Sequence, residues 1–180
     1  VPEEKGFYTV CLADEDAARI AAEAIIEKEK KNVLALFGHP HLSISKVRRD
    51  SFLKTFKTKS PDTKISLDYP EQPGASKEAA LAALTSKHPP DAIFCMGDMI
   101  LIGVMKAIHQ LNLKVPEDVA VIGISNGFIP EMYNPVITYV ETSGYKLGKL
   151  AFIQMFARLK NEEASEIVCV ESMLVKGGSL

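Results

Sequence analysis

Basic residues are not in excess in this sequence: 21 Lys and Arg stand against 23 Asp and Glu, for a net charge of -2. A nucleic-acid surface needs a cation for each phosphate it contacts, so the chain is not expected to grip DNA or RNA by itself. No run of about eighteen apolar residues occurs, which removes a helical membrane span and any membrane partner. The opening Val1-Pro2-Glu3-Glu4-Lys5 is polar, with no apolar signal-peptide core behind it. No Met begins the chain, which therefore reads as a piece of something longer. Cysteine is scarce: Cys11, Cys95 and Cys169 lie far apart, are odd in number and sit in apolar runs. That pattern predicts reduced, buried thiols in a cytoplasmic protein, and neither a disulfide framework nor a metal cluster. Phosphate loops of the G-x-x-x-x-G-K-[ST] type and G-x-G-x-x-G turns are absent. No cofactor is expected, and no repeat, linker or low-complexity segment breaks the chain.

What is present is an ordinary globular composition, 47% hydrophobic and 24% charged. Its 180 residues suffice for one domain with a sizeable core. Short apolar runs recur at Thr9–Leu12, Val33–Phe37, Ile65–Leu67, Ala92–Met96 and Val119–Ile124. Continuous apolar runs suit strands covered on both faces. Between them lie helical patterns at 15–30, 45–57 and 75–86, and Asp98 stands where it can cap the next helix. Strands alternating with helices predict an α/β fold with a doubly wound, mainly parallel sheet. Beyond Ser125 the rhythm changes to a loop over Gly127–Pro135, a strand at Val136–Glu141, a helix over Tyr145–Lys160 and a last strand over Ile167–Val175.

Two helices carry more apolar residues than one buried stripe needs. From Met99 to Leu111 only Lys106, His109 and Gln110 are clearly polar, and Tyr145–Lys160 spreads Leu147, Leu150, Phe152, Ile153, Met155, Phe156 and Leu159 around its circumference. An ordinary core helix and a partner-covered helix both fit the first; the spread around the cylinder favours the partner.

Gly123-Ile124-Ser125-Asn126-Gly127 matches the G-x-S-x-G of a hydrolase nucleophile elbow. That architecture places its His after the Ser, whereas His39, His41, His88 and His109 all precede Ser125. Pro130 also discourages the helix that should follow, so a serine hydrolase is the remote alternative. His39 and His41 share a loop but have no nearby third and fourth ligand for zinc. Glu15, Asp16 and Glu23 fall in the early turns of a helix, where the dipole favours acids.

In open α/β sheets ligands bind at the carboxyl ends of the strands. The polar residues there are Ser43, Ser45 and Arg48 after the second strand, Tyr69 after the third, Asp98 after the fourth, and Ser125 and Asn126 after the fifth. A forked Arg, an aromatic face and small polar groups make a plausible pocket for a small polar ligand. A surface cation, a loop aromatic and a cap are the plain alternatives for Arg48, Tyr69 and Asp98.

The run Pro90-Asp91-Ala92-Ile93-Phe94-Cys95-Met96-Gly97-Asp98 is followed by Gly103, Ala107 and Val115-Pro116-Glu117-Asp118-Val119-Ala120-Val121-Ile122-Gly123. Asn134-Pro135-Val136-Ile137-Thr138 and Leu147-Gly148-Lys149-Leu150-Ala151 come next, and Arg48-Arg49-Asp50-Ser51-Phe52 lies upstream. In this order the motifs resemble the lactose-repressor (LacI/GalR) family of transcription regulators along essentially the whole chain. The resemblance implies the carboxyl-terminal part of a periplasmic-binding-protein-like (type I) effector domain. Residues 8–141 and 165–180 would form its second subdomain, and 142–164 a helix packing toward a first subdomain that precedes Val1. The helix-turn-helix that contacts operator DNA would also lie outside this chain.

By position, the resemblance implies that Arg48 bonds a ligand hydroxyl or carboxylate and that Tyr69 stacks on the ligand. Ser125 stands where the family usually has Asp, Gly97 where many sugar-binding members have Asn, and Leu42 and Ile44 where some have hydroxyl residues, which weakens the case for a simple sugar. The same resemblance implies a homodimer through Met99, Ile102 and Met105 on one helix and Ile129, Met132 and Tyr133 in the following loop. The function expected is sensing of a small polar effector, a sugar or related metabolite, without catalysis. A carrier protein of the same fold is the alternative.

Overall fold

The computed structural model describes residues 8–160 and 165–180. The apolar runs form strands β1 (Thr9–Leu12), β2 (Asn32–Leu36), β3 (Lys64–Asp68), β4 (Ala92–Cys95), β5 (Ala120–Ser125), β6 (Thr138–Glu141), β7 (Ile167–Val170) and β8 (Met173–Val175). Helices α1 (Asp14–Glu27), α2 (Ser43–Lys59), α3 (Pro73–Leu84), α4 (Asp98–Gln110) and α5 (Gly144–Leu159) lie between them, with one 3-10 turn at Pro130–Met132. The larger sheet has six strands in the order β3-β2-β4-β5-β6-β8, parallel except for β8.

Helices cover both faces of this sheet, which is why β4 and β5 are buried at every position while the edge strand β3 is mostly exposed. On one face α1 and α2 close over Phe37, Phe52, Phe56 and Phe94. The rings of Phe52 and Phe94 lie 4.6 Å apart and those of Phe37 and Phe94 5.4 Å apart. Each such buried ring contributes about 1.5–3 kcal/mol relative to exposure. On the other face α3 and α4 pack over Ile93, Val121 and Ile137.

The structure corrects the expected sheet at its first strand. β1 does not join the larger sheet; it pairs in parallel with β7, Thr9 opposite Ile167 and Leu12 opposite Val170, in a separate two-stranded sheet. An apolar run of four residues specifies a strand but not its neighbour. The expected last strand, Ile167–Val175, is likewise broken at Glu171-Ser172, so that β7 serves the small sheet and β8 the large one. α5 packs on β1 and β7. The chain crosses between the two layers beside Ala13, Thr142 and Ser172. There the Ala13 N–H donates to Val170 O at 3.1 Å, the Thr142 N–H to Ser125 O at 2.9 Å and Ser172 Oγ to Ala13 O at 3.3 Å.

The two cysteines expected as buried thiols, Cys11 and Cys169, are instead directly paired across β1 and β7 and joined as a disulfide. Cys169 is exposed and Cys11 half-buried; Cys95 alone is a buried free thiol. Separation along the chain misled the expectation, because parallel strands from opposite ends of the sequence bring the pair into register.

The over-apolar helices have different explanations. α4 spends most of its circumference within the chain, since Ile100, Leu101, Val104, Met105, Ala107 and Ile108 are all buried. α3 covers its second side, and Gly103 permits the approach: a Cβ there would stand 2.5 Å from Ser76 Cβ. α5 buries no residue, and Tyr145, Phe152, Met155, Phe156 and Leu159 are exposed along it. Among the described residues no helix is long and apolar enough to cross a membrane.

Candidate functional site

The parallel strands β2 to β6 deliver their carboxyl ends to the side of the sheet where the chain crosses to the small layer. β2 is followed by Phe37-Gly38, and α2 begins at Ser43 without a side-chain cap. One turn into α2, Arg48 is buried. Its Nε and Nη2 donate to Asp14 Oδ1 at 2.9 and 2.6 Å, and its Nη1 donates to Met96 O at 3.0 Å. A single guanidinium thus ties α2 to the start of α1 and to the end of β4.

Asp14 was missed in the sequence. An acid at a helix start reads as a complement to the helix dipole, and nothing local connects it to an arginine 34 residues away.

Around Arg48 the polar groups are placed as follows. Ser45 is buried, and its Oγ has no hydrogen-bond partner among the described residues. A Cβ on Gly38 would lie 3.4 Å from that Oγ and 3.0 Å from Met96 Cε, so Gly38 leaves the space beside both open. Asp98 is the first residue of α4 and Gly97 its N-cap, with no side-chain cap. The capping role expected for Asp98 is therefore not the one observed: Gly97 takes the N-cap position, and no side chain accepts from the first-turn N–H groups. Its Oδ1 is buried and also without a partner among the described residues. Asp98 lines an open cleft of about 280 Å³ together with Gly38, His39, Leu42, Glu71, Met96 and Met99. His39 Nε2 lies 3.9 Å from Glu71 Oε1 at the cleft, and the His39 and His41 rings are 5.3 Å apart.

Tyr69 is half-buried and leans on Phe37, ring centroids 6.4 Å apart, while Ser43 is exposed. Ser125 and Asn126 fold the loop that follows β5: Ser125 Oγ accepts from the Gly127 N–H at 3.0 Å, and Asn126 Oδ1 from the Phe128 N–H at 3.1 Å. Gly127 has φ +98°, and a Cβ there would meet Tyr139 Oη at 2.7 Å. Ser125 is therefore buried at a turn, with a single 3-10 turn after it where a hydrolase would place its long helix. No group of three His, Cys, Asp or Glu side chains able to hold a metal gathers among the described residues.

The residues expected at an interface divide. Met99 and Met132 are exposed, at 51% and 68%, and Ile102, Ile129 and Tyr133 are half-buried. Met105 is buried within its own chain against the core under α4, which removes it from the surface. Burial raises the Tyr133 and Tyr139 hydroxyls above the usual phenol range, with Glu131 and Glu141 adding to the effect at Tyr139.

Residues 22–180 match the family of periplasmic binding protein-like domains. The chain belongs to that family. Among curated proteins it is 26% identical over 183 residues to the HTH-type transcriptional repressor PurR of Serratia proteamaculans. It is 27% identical to the PurR of Yersinia enterocolitica. Each alignment covers 98% of this chain and 53% of the relative, so the chain spans about half the length of the curated relatives it matches. The fold is that of a dimeric Lac repressor with a carboxyl-terminal deletion, with a TM-score of 0.89 at 17% identity over 99% of this chain and 66% of that one. A LacI family regulator from Arthrobacter sp. FB24, solved in complex with lactose, gives a TM-score of 0.84 at 21% identity over 99% of this chain and 69% of that one. The chain thus carries a periplasmic binding protein-like domain and shares its fold with solved regulators of the LacI family.

Proposed function

We propose that this chain is the sensing part of a bacterial transcription regulator, and that a small polar effector binds in the cleft beside Asp98 and Arg48. The observation that carries the proposal is two buried oxygens, Asp98 Oδ1 and Ser45 Oγ, without hydrogen-bond partners among the described residues, at the carboxyl ends of a parallel sheet. Leaving a buried acceptor unmet costs about 1–3 kcal/mol, and a ligand that donates hydrogen bonds recovers that cost. Arg48 already gives its charge to Asp14, so the effector is a donor-rich neutral or cationic molecule rather than one held by an anionic group.

Binding acts by population shift, favouring whichever arrangement of the two layers the ligand contacts better. Operator DNA is contacted by a helix-turn-helix outside these residues, in a cytoplasmic homodimer that does no catalysis. The relatives support this reading, two of them being named transcriptional repressors. The face of α5, with no buried residue, supports its packing against a first subdomain formed by other residues.

Thermal unfolding of the full-length protein against sugars, sugar phosphates, nucleobases and amino acids tests the proposal. A ligand at about 100 times its Kd stabilises by about 2.7 kcal/mol. The expected hit is a donor-rich compound whose effect disappears in Asp98→Asn. A panel that leaves a folded protein unmoved, or a hit that ignores Asp98→Asn, overturns it.

A further inference from the structure

We infer that Cys11 and Cys169 form a reversible redox modification site that fastens the crossings between the two layers of the molecule. The pair occupies facing positions of β1 and β7, with Cα atoms 4.6 Å apart, although 158 residues separate them in sequence. Both strands run straight into crossings. Two residues beyond Cys11, the Ala13 N–H donates to Val170 O, and Ser172 Oγ, just past β7, donates back to Ala13 O. One residue further on, Asp14 takes the Arg48 guanidinium. Without the bond between the sulfurs, these contacts, the short β1–β7 ladder and the packing of α5 on both strands hold the crossings side by side.

The two cysteines differ in access, which decides the sulfur that a small disulfide meets first. Cys169 is exposed and open to attack, Cys11 is half-buried beside it, and the remaining cysteine, Cys95, is fully buried. The co-reactant is a small-molecule disulfide of the glutathione class. The Cys169 thiolate attacks one sulfur of that disulfide, forming a mixed disulfide and releasing one small thiolate. The Cys11 thiolate then attacks the Cys169 sulfur and releases the second. Two protein thiols are oxidised, one small disulfide is reduced to two thiols, and the two protons lost by the protein pass to the leaving thiolates. Transient disulfides of this kind are the form that sensing takes in reducing compartments.

The test uses the full-length protein, equilibrated with either oxidised glutathione or dithiothreitol. Differential alkylation and peptide mass spectrometry read the thiols, and amide hydrogen exchange reads residues 12–14 and 170–172. Oxidation is expected to give a linked Cys11–Cys169 peptide with Cys95 unmodified, and to slow exchange at Ala13 by about tenfold or more. Dithiothreitol should restore both, and Cys169→Ser should exchange at the reduced rate in either buffer. A glutathione adduct on Cys169 that never resolves, freely alkylated cysteines after oxidation, or equal exchange in both forms would each overturn the inference. Wild-type protein alone yields all three readouts, so a poorly folded variant does not shelter it.

Discussion

Arg48 and Asp14 meet through one carboxylate oxygen: Nε and Nη2 of the guanidinium both reach Asp14 Oδ1, at 2.9 and 2.6 Å. The pair joins the helix that follows a crossing to the helix that follows β2, and the third guanidinium nitrogen reaches Met96 O at the end of β4. Asp14→Ala leaves the guanidinium buried and without its counter-charge, which in a fully buried pair costs about 3–5 kcal/mol. The Asp14 side chain is 23% exposed, so solvent screens part of this, and the expected loss is about 2–3 kcal/mol. Urea unfolding measures it. Arg48→Met in the same background should restore part of the loss, and a double variant no better than Asp14→Ala would remove the pair as the cause.

Gly103 faces Pro73, Ser76 and Lys77 of α3, where an added Cβ would meet Ser76 Cβ at 2.5 Å and Lys77 N at 2.9 Å. In an exposed helix Gly→Ala gains about 1 kcal/mol. Here α3 must shift as a unit, and overpacking typically costs about 1–3 kcal/mol. Gly103→Ala should therefore lower stability by a net amount of up to about 2 kcal/mol, read as a lowered unfolding midpoint. A raised midpoint would show that α3 and α4 are not locked together.

The larger sheet was legible in the sequence because β2, β4 and β5 are covered on both faces and so read as unbroken apolar runs. β1 was legible as a strand but not in its place, since its partner β7 lies at the far end of the chain. The site was legible by position rather than by contact. Ser45, Arg48 and Asp98 were singled out because strand ends in such sheets carry ligands. Asp14 stayed hidden because its role depends on an arginine from another helix. Ser125 and Asn126 have a second role that the sequence did not single out: short polar residues after a strand fold turns on their own acceptors, and these do. α4 was overread, its wide apolar surface belonging mostly to α3 and the sheet.

Cys95 is fully buried, and burial pushes its thiol well above the ordinary range. Unfolded, it ionises near pH 8.5; folded, it keeps its proton to much higher pH. Above about pH 8.5 the folded state therefore binds more protons than the unfolded one, and this group's contribution to stability falls as pH rises, by about 1.4 kcal/mol per unit. Below that pH the thiol is protonated in both states and contributes no slope. Urea midpoints between pH 8 and 10 should decline less steeply in Cys95→Ala than in the parent. Equal slopes would mean that other groups account for the decline.

Met99 and Met132 present apolar side chains to solvent from α4 and from the loop after β5, while Met105, two turns along from Met99, is buried in its own chain. If a second copy covers this face, the two kinds of methionine respond differently to charge. Met99→Asp and Met132→Asp should keep the fold, because each side chain is exposed in the single chain, and yet convert a dimer to monomers by burying an unpaired carboxylate at the interface. Ile102→Asp, at a half-buried position of α4, should do the same at some cost in stability. Met105→Asp places its charge in the core and should lower thermal stability whatever the state of association. Sedimentation of the full-length protein and its variants distinguishes the cases: a dimer that survives both Met99→Asp and Met132→Asp places the contact elsewhere on the molecule.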